Sequence, residues 1–241
     1  MDFLRALGFL TLLPVPSIPC DTGDLGRSSP WFPLVGAVIG AILAGAAVLF
    51  GALFPPLATN ALVVVLWAFL TRGIHLDGLA DTFDGIGGGY DPASRLAIMK
   101  DSRLGTFGGI AVASALLLKT AAAAGLTGQD LLRALFAAPI LGRWGILFAM
   151  GLFPSARPGG MGDTFRKGCT TKSLATGSIL TVALALAAFG WRGILPLLAV
   201  PFTALLLSVW LTRLLGGLTG DSYGAVCETT ELLTLLCFSV Y

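Results

Sequence analysis

The chain reads as long apolar runs separated by short polar connections. Stretches at about 34–54, 105–125, 134–154, 174–190, 194–212 and 225–240 approach the roughly 20 apolar residues that a membrane-crossing helix needs. Another, about 58–71 (LATNALVVVLWAFL), is short alone and is expected to continue as a helix into the polar segment behind it. Pro55-Pro56, Pro154, Pro158 and Pro196 punctuate the connections. The pattern predicts an all-α, polytopic membrane bundle of about six to seven transmembrane helices. Gly36 and Gly40 form a small-xxx-small spacing that favours close helix approach. At the N-terminus a short apolar run is broken by Asp2 and Arg5 and followed by Pro14 and Pro16 without a small-residue cleavage site. It is expected to be a short interfacial or re-entrant helix of the mature protein, not a signal peptide. Residues 1–241 are read as one membrane-embedded domain.

Composition supports the same class. The chain has 15 Lys+Arg and 13 Asp+Glu, so 12% of it is charged, with 56% hydrophobic and a mean hydropathy of +0.88. That is about half the charge usual in soluble domains, too little to coat a soluble globule or to keep a chain disordered. A net charge of +2 with no basic stripe argues against a nucleic-acid partner. Cys20, Cys169, Cys227 and Cys237 show no CxxC spacing, and His75 is the only histidine, so a zinc site is not expected. Cys227 and Cys237 sit in apolar stretches and read as packing residues.

The few charges are unevenly placed. If the polar segment 72–103 faces the cytoplasm, alternation puts the N-terminus and the 155–173 and 213–224 connections on the same side. Those regions hold 11 of the 15 cations, and only Arg133 and Arg192 fall in the opposite loops. This bias matches the positive-inside rule and sets the expected orientation. Two cations lie inside spans. Lys119, near the non-cytoplasmic end of its helix, is expected to snorkel. Arg143 lies nearer the middle of its span and is expected to face the bundle interior, toward either a helix carboxylate or a substrate.

The most informative stretch is RGIHLDGLADTFDGIGGGYDPASRLAIMKDSR, Arg72 to Arg103. Asp77, Asp81 and Asp84 recur at i, i+4 and i+7, which stacks three carboxylates on one helix face. Such a stack repels itself unless a cation bridges it, and oxygen-only ligands suit Mg²⁺ or Mn²⁺. Mg²⁺ normally takes one or two carboxylates plus phosphate oxygens, so a phosphorylated substrate is implied. The bland alternative is a solvated acidic face. Gly85, Gly87, Gly88 and Gly89 follow, read as a glycine-rich turn whose amides approach a phosphate, although such turns also simply end helices. Arg95, Lys100 and Arg103 are then the cations expected to clamp a pyrophosphate, with Asp101 and Ser102 between them orienting those cations or adding a ligand. His75, two residues before Asp77, is a base, a phosphate donor, an orienting group or a satisfied structural histidine. In the last span, TGDSYGAVCETTELL places Asp221, Glu228 and Glu231 on one face if a helix begins near Ser222. Asp221 serves there as an N-cap or as a member of the site, and the sidedness argument lets it converge with Asp77, Asp81 and Asp84. Together these parts form a kit for phosphoryl-type transfer.

The pieces FLTLLPVP (9–16), WFPLVGAVIG (31–40), HLDGLADTFDGIGGG (75–89), RLAIMKDSRLGTFG (95–108) and LTGDSYGA (218–225) resemble the cobalamin synthase family, the adenosylcobinamide-GDP ribazoletransferases. The resemblance runs nearly end to end; Phe83 and the Ser222-Tyr223 pair depart from the expected pattern. It implies an Mg²⁺-dependent multi-pass enzyme of the bacterial inner membrane with its active site toward the cytoplasm. The implied reaction has the hydroxyl of α-ribazole, or of its 5′-phosphate, attack the phosphate on the cobinamide arm of adenosylcobinamide-GDP, with GMP leaving. On that reading Asp77, Asp81 and Asp84 are Mg²⁺ ligands and one of them, or His75, is the base. Arg95, Lys100 and Arg103, with Asp101, Ser102, Gly85 and Gly88, hold the diphosphate, and Asp221 is an extra ligand or an acceptor contact. Self-association, or association with other cobalamin-assembly enzymes, is compatible with it. Competing readings are a lipid enzyme of the CDP-alcohol phosphotransferase type, a prenyltransferase, and an ion-coupled transporter using Arg143, Glu228 and Glu231. The aspartate spacing differs from the first and a second aspartate-rich motif is missing for the second. No internal repeat supports the third.

Overall fold

The computed structural model describes residues 1–16 and 26–240, so Cys20 lies outside the described residues. Among these residues the chain forms eleven α-helices and no strand. They are α1 (Asp2–Leu10), α2 (Phe32–Gly51), α3 (Pro56–Leu70), α4 (Ile74–Gly88), α5 (Pro92–Ile98), α6 (Thr106–Ala124), α7 (Gly128–Leu152), α8 (Met161–Gly168), α9 (Thr171–Ala188), α10 (Ile194–Leu215) and α11 (Gly220–Ser239). The all-α polytopic expectation holds. Five helices, α2, α6, α7, α9 and α10, are long and apolar enough to cross a membrane alone, and α3 and α4 are so only taken together, as a pair bent by 88° at the break between them.

The last helix, α11, has 20 residues but carries Asp221, Glu228 and Glu231, so it is not apolar enough to face lipid. It packs instead inside the bundle against α4, α7 and α10, with Ser222 to Glu228 all buried. α7 is the other central helix; 72% of its span is buried, against 22–39% for the other four. The outer helices turn Leu117, Ile179, Leu186, Leu198 and Phe202 outward, where bilayer tails replace water as solvent. The Gly36-xxx-Gly40 spacing is used: a Cβ at either glycine would strike the α7 backbone at Pro139–Ile140 or Phe136, so α2 and α7 cross backbone to backbone.

The polar connections gather at one end. Arg157 donates to the Leu96 carbonyl at 2.8 Å, Arg166 to that of Phe153 at 2.7 Å, and Arg95 to that of Leu214 at 2.9 Å. Ala156 N–H donates to the Leu218 carbonyl at 2.9 Å and Leu218 N–H to that of Pro154 at 2.8 Å. This two-way tie clamps the 154–157 segment to the entry of α11.

Candidate active site

The site begins at the break between α3 and α4. Arg72 (φ 57°) and Gly73 (φ 64°) are both left-handed, a conformation natural for glycine and rare for arginine. The reversal starts α4 at a steep angle and sets Arg72 at the rim of a cavity of about 520 Å³, with a guanidinium N–H to the Gly8 carbonyl at 3.1 Å. The cavity is lined by polar side chains, among them His75, Arg157, Asp163, Thr219 and Asp221, and by the apolar Phe9, Phe32, Phe165, Ile146 and Met150.

The α4 helix then approaches α11 closely. A Cβ on Gly78 would meet the Asp221 carbonyl at 2.7 Å, and one on Gly224 the His75 carbonyl at 2.9 Å. That contact brings Asp81 within electrostatic reach of Asp77, Asp84 and Asp221, and of the cation Arg157. Thr219, not Asp221, caps α11: its hydroxyl accepts Ser222 N–H at 3.1 Å. Asp221 is therefore a first-turn residue, paired with Arg157 at 3.2 Å and receiving the Thr219 hydroxyl at 3.3 Å. The α4 aspartates are not equivalent. Asp77 is exposed and Asp81 half-buried, whereas Asp84 uses both oxygens to accept the N–H groups of Gly105 and Gly108 at 2.8 Å. It thus caps the start of α6 in place of Gly105, which has no side chain to do so. A Cβ at 105 would displace that carboxylate, and one at 108 would meet both it and the Ala80 carbonyl, the latter at 2.8 Å.

The expected glycine turn is not one. α4 runs through Gly88, so Gly85, Gly87 and Gly88 are helical and hydrogen-bond along the helix. Their missing side chains admit neighbours instead: Met99 and the Arg95 carbonyl at Gly85, the Phe107 ring at Gly87, Ile98 at Gly88. Nor do the expected cations form one clamp. Arg95 ties the Gly89 and Leu214 carbonyls, at 3.1 and 2.9 Å. Asp101 grips Arg103 through several hydrogen bonds of about 3 Å, which hold its carboxyl down at about 2. Arg103, Lys100 and Ser102 are exposed.

Inside the bundle lies a second polar group. Lys119 does not snorkel; it is buried against Glu228 at 2.7 Å and against Glu231, with its ammonium 4.3 Å from the centre of the Trp67 ring. Arg143 is fully buried and pairs with Glu231, and its second terminal nitrogen lies 3.3 Å from His75 Nδ1. A guanidinium only donates, so Nδ1 accepts and the proton of a neutral His75 ring sits on Nε2. Snorkelling fails for a physical reason: two buried glutamates on α11 offer a closer counter-charge than the membrane surface does. Cys227 Sγ lies 3.6 Å from Glu231 and Cys237 is buried.

Arg157, Asp163 and Tyr223 line the cavity, and none of the three is among the site residues expected from the sequence. Asp163, on the cavity wall, accepts from Lys167 at 2.7 Å and from Gly159 N–H at 2.8 Å, and in that order they hold its carboxyl below the usual range. The signal for this wall was the PSARPGGMGD stretch, a glycine- and proline-rich connection carrying an Arg and an Asp on the polar end of the bundle.

Among the described residues no three His, Cys, Asp or Glu side chains already stand arranged to hold a metal ion. What is present is a crowd of carboxylates, Asp77, Asp81 and Asp221, offset by Arg157. That suits a hard divalent cation that takes two carboxylates and completes its shell with phosphate oxygens and water.

The cobalamin-5-phosphate synthase family matches residues 2–239. An adenosylcobinamide-GDP ribazoletransferase from Roseiflexus sp. (strain RS-1) is 44% identical over 232 residues, 96% of this chain and 86% of the relative. Those of Herpetosiphon aurantiacus (40% identical; 96% and 93% covered) and Desulforamulus reducens (39%; 94% and 91%) are similar over as much of their length. No solved structure matches the chain. With the match running from the second residue to the last residue of α11, the chain belongs to the cobalamin-5-phosphate synthase family.

Proposed function

We propose that this chain is an adenosylcobinamide-GDP ribazoletransferase, joining the cobinamide phosphate to α-ribazole or its 5′-phosphate and releasing GMP in the last stage of cobalamin assembly. The observation that carries the reading is that Asp81 lies within electrostatic reach of Asp77 and of the Asp221–Arg157 pair, and that this pair lines the cavity, in a chain of this family. Asp77 and Asp81 would hold Mg²⁺. Bound there, the ion would neutralise the diphosphate and the charge moving onto GMP. Arg157, whose Nε lacks a partner among the described residues, presents its guanidinium to the same charge. Asp221, on the cavity wall, takes the proton as the acceptor oxygen bonds to the cobinamide phosphorus and the bond from that phosphorus to the GMP oxygen breaks. His75, with its Nδ1 turned to Arg143, offers Nε2–H as a donor rather than a lone pair as a base. Lys100 and Arg103, exposed beyond α5, would meet the nucleotide from outside. Asp84 would keep the α6 entry in place beside the ion's ligands. The positive-inside bias supports a cytoplasmic active-site face in a bacterial inner membrane.

The test is GMP release from adenosylcobinamide-GDP and α-ribazole by purified membranes, with and without Mg²⁺. Release that depends on both substrates and stops with a chelator is expected; no release with Mg²⁺ present overturns the reading.

A further inference from the structure

We infer that the cavity beneath Arg72 is the binding site of the acceptor nucleoside, and that Tyr223 is its specificity-determining contact. The inference rests on the transferase reading and goes beyond it by giving each substrate its place. Three observations carry it.

The first is size. A cavity of about 520 Å³ lies within the range of small-molecule sites, roughly 300–1,000 Å³. It admits a nucleoside and is far too small for a corrin ring with its amide arms, which must remain outside.

The second is an aromatic wall. Phe9, Phe32 and Phe165, with ring centroids 4.7 Å (Phe9–Phe165) and 6.1 Å (Phe32–Phe165) apart, line the cavity together with Ile146. A dimethylated benzimidazole is a flat, almost wholly apolar ring and suits such walls. Guanine carries donors and acceptors around its edge, which these walls would leave unpaired. Asp221 and Arg157 line the same cavity, so a base seated against the phenylalanines keeps its ribose in the space shared with the group that takes the hydroxyl proton.

The third is an unpaired atom. Tyr223 is 5% exposed and lines the cavity, and its hydroxyl is buried with no hydrogen-bond partner among the described residues. A buried hydroxyl left unpaired costs stability unless a ligand completes it. In the acceptor, the imidazole nitrogen not bonded to ribose and the ribose hydroxyls offer it a partner.

The experiment uses the solubilised full chain, Tyr223→Phe, and Ile146→Phe as a cavity-filling variant that retains every polar group. Direct binding of α-ribazole is measured by titration calorimetry without donor, and KM is measured for each substrate. Tyr223→Phe, which removes one oxygen, is expected to weaken α-ribazole binding roughly five- to tenfold, as loss of one hydrogen bond does, with the donor KM unchanged. Ile146→Phe is expected to weaken α-ribazole more than the riboside of unsubstituted benzimidazole. A raised donor KM with unaltered acceptor binding in both variants would assign the cavity to the donor and overturn the inference. So would unaltered binding of both substrates. If wild-type protein binds α-ribazole but releases no GMP, the transferase reading fails while the cavity assignment stands.

Discussion

Lys119 on α6 donates to Glu228 on α11 at 2.7 Å, and neither side chain reaches the surface. With Glu231 and Arg143 the group has two cations and two anions, all buried, so it is balanced as a whole. Burying charge is costly, and the group persists because each charge has an opposite neighbour. It joins α6, α7 and α11 and ends at His75 on α4, so it fixes the bundle against which the site is built.

Lys119→Met therefore strands Glu228. The expected loss is about 3–5 kcal/mol, read as a lower thermal midpoint in detergent. Lys119→Met with Glu228→Met removes one charge of each sign and leaves Arg143 and Glu231 paired. The double variant is expected to recover most of the loss. A double variant as unstable as the single would show that the charges act otherwise than as a balanced set.

Asp163 allows a pH argument. Lys167 and the Gly159 amide favour its ionised form in the folded protein. A carboxyl whose folded value is depressed contributes stability above its unfolded value, about 4, and loses it as pH falls through the folded value. The 155–168 connection should thus resist limited proteolysis equally through the neutral range and open under acid below about pH 4. Asp163→Asn should make it more cleavable at neutral pH and flatten the acid limb. An acid limb unchanged in the variant would place the controlling group elsewhere. Arg166 is the other nearby charge and does not titrate in this range.

Helical periodicity made the α4 aspartates legible because one helix carries their spacing: Asp77 and Asp81 share a face in the sequence and in space. The partners were not legible, because they arrive from other helices. Arg157 is 64 residues from Asp221, and Lys119 is 109 from Glu228. Single-helix rules gave Lys119 to the membrane surface, and only the packing of α6 on α11 shows why it stays inside. The glycines misled for a related reason. A run such as GIGGG reads as a turn, but side chains from α5 and α6 fill the space beside it and keep the backbone helical.

The α4 aspartates also divide by role, and this separates fold from chemistry. Asp77 is exposed, so Asp77→Asn should leave the melting point unchanged and lower GMP release by roughly 100-fold or more, with a higher Mg²⁺ requirement in what remains. Asp84 accepts from two amides at 2.8 Å. Asparagine keeps one acceptor oxygen and turns an NH₂ group toward the second amide, so Asp84→Asn should cost about 1–3 kcal/mol and lower the melting point. Activity then falls because the start of α6 moves relative to Asp81, and a shift of about 1 Å suffices for a large loss. Melting and GMP release measured on both variants decide the matter. Normal turnover in Asp77→Asn would remove it from the metal site. An Asp84→Asn protein that melts like wild type yet is inactive would return Asp84 from cap to ligand.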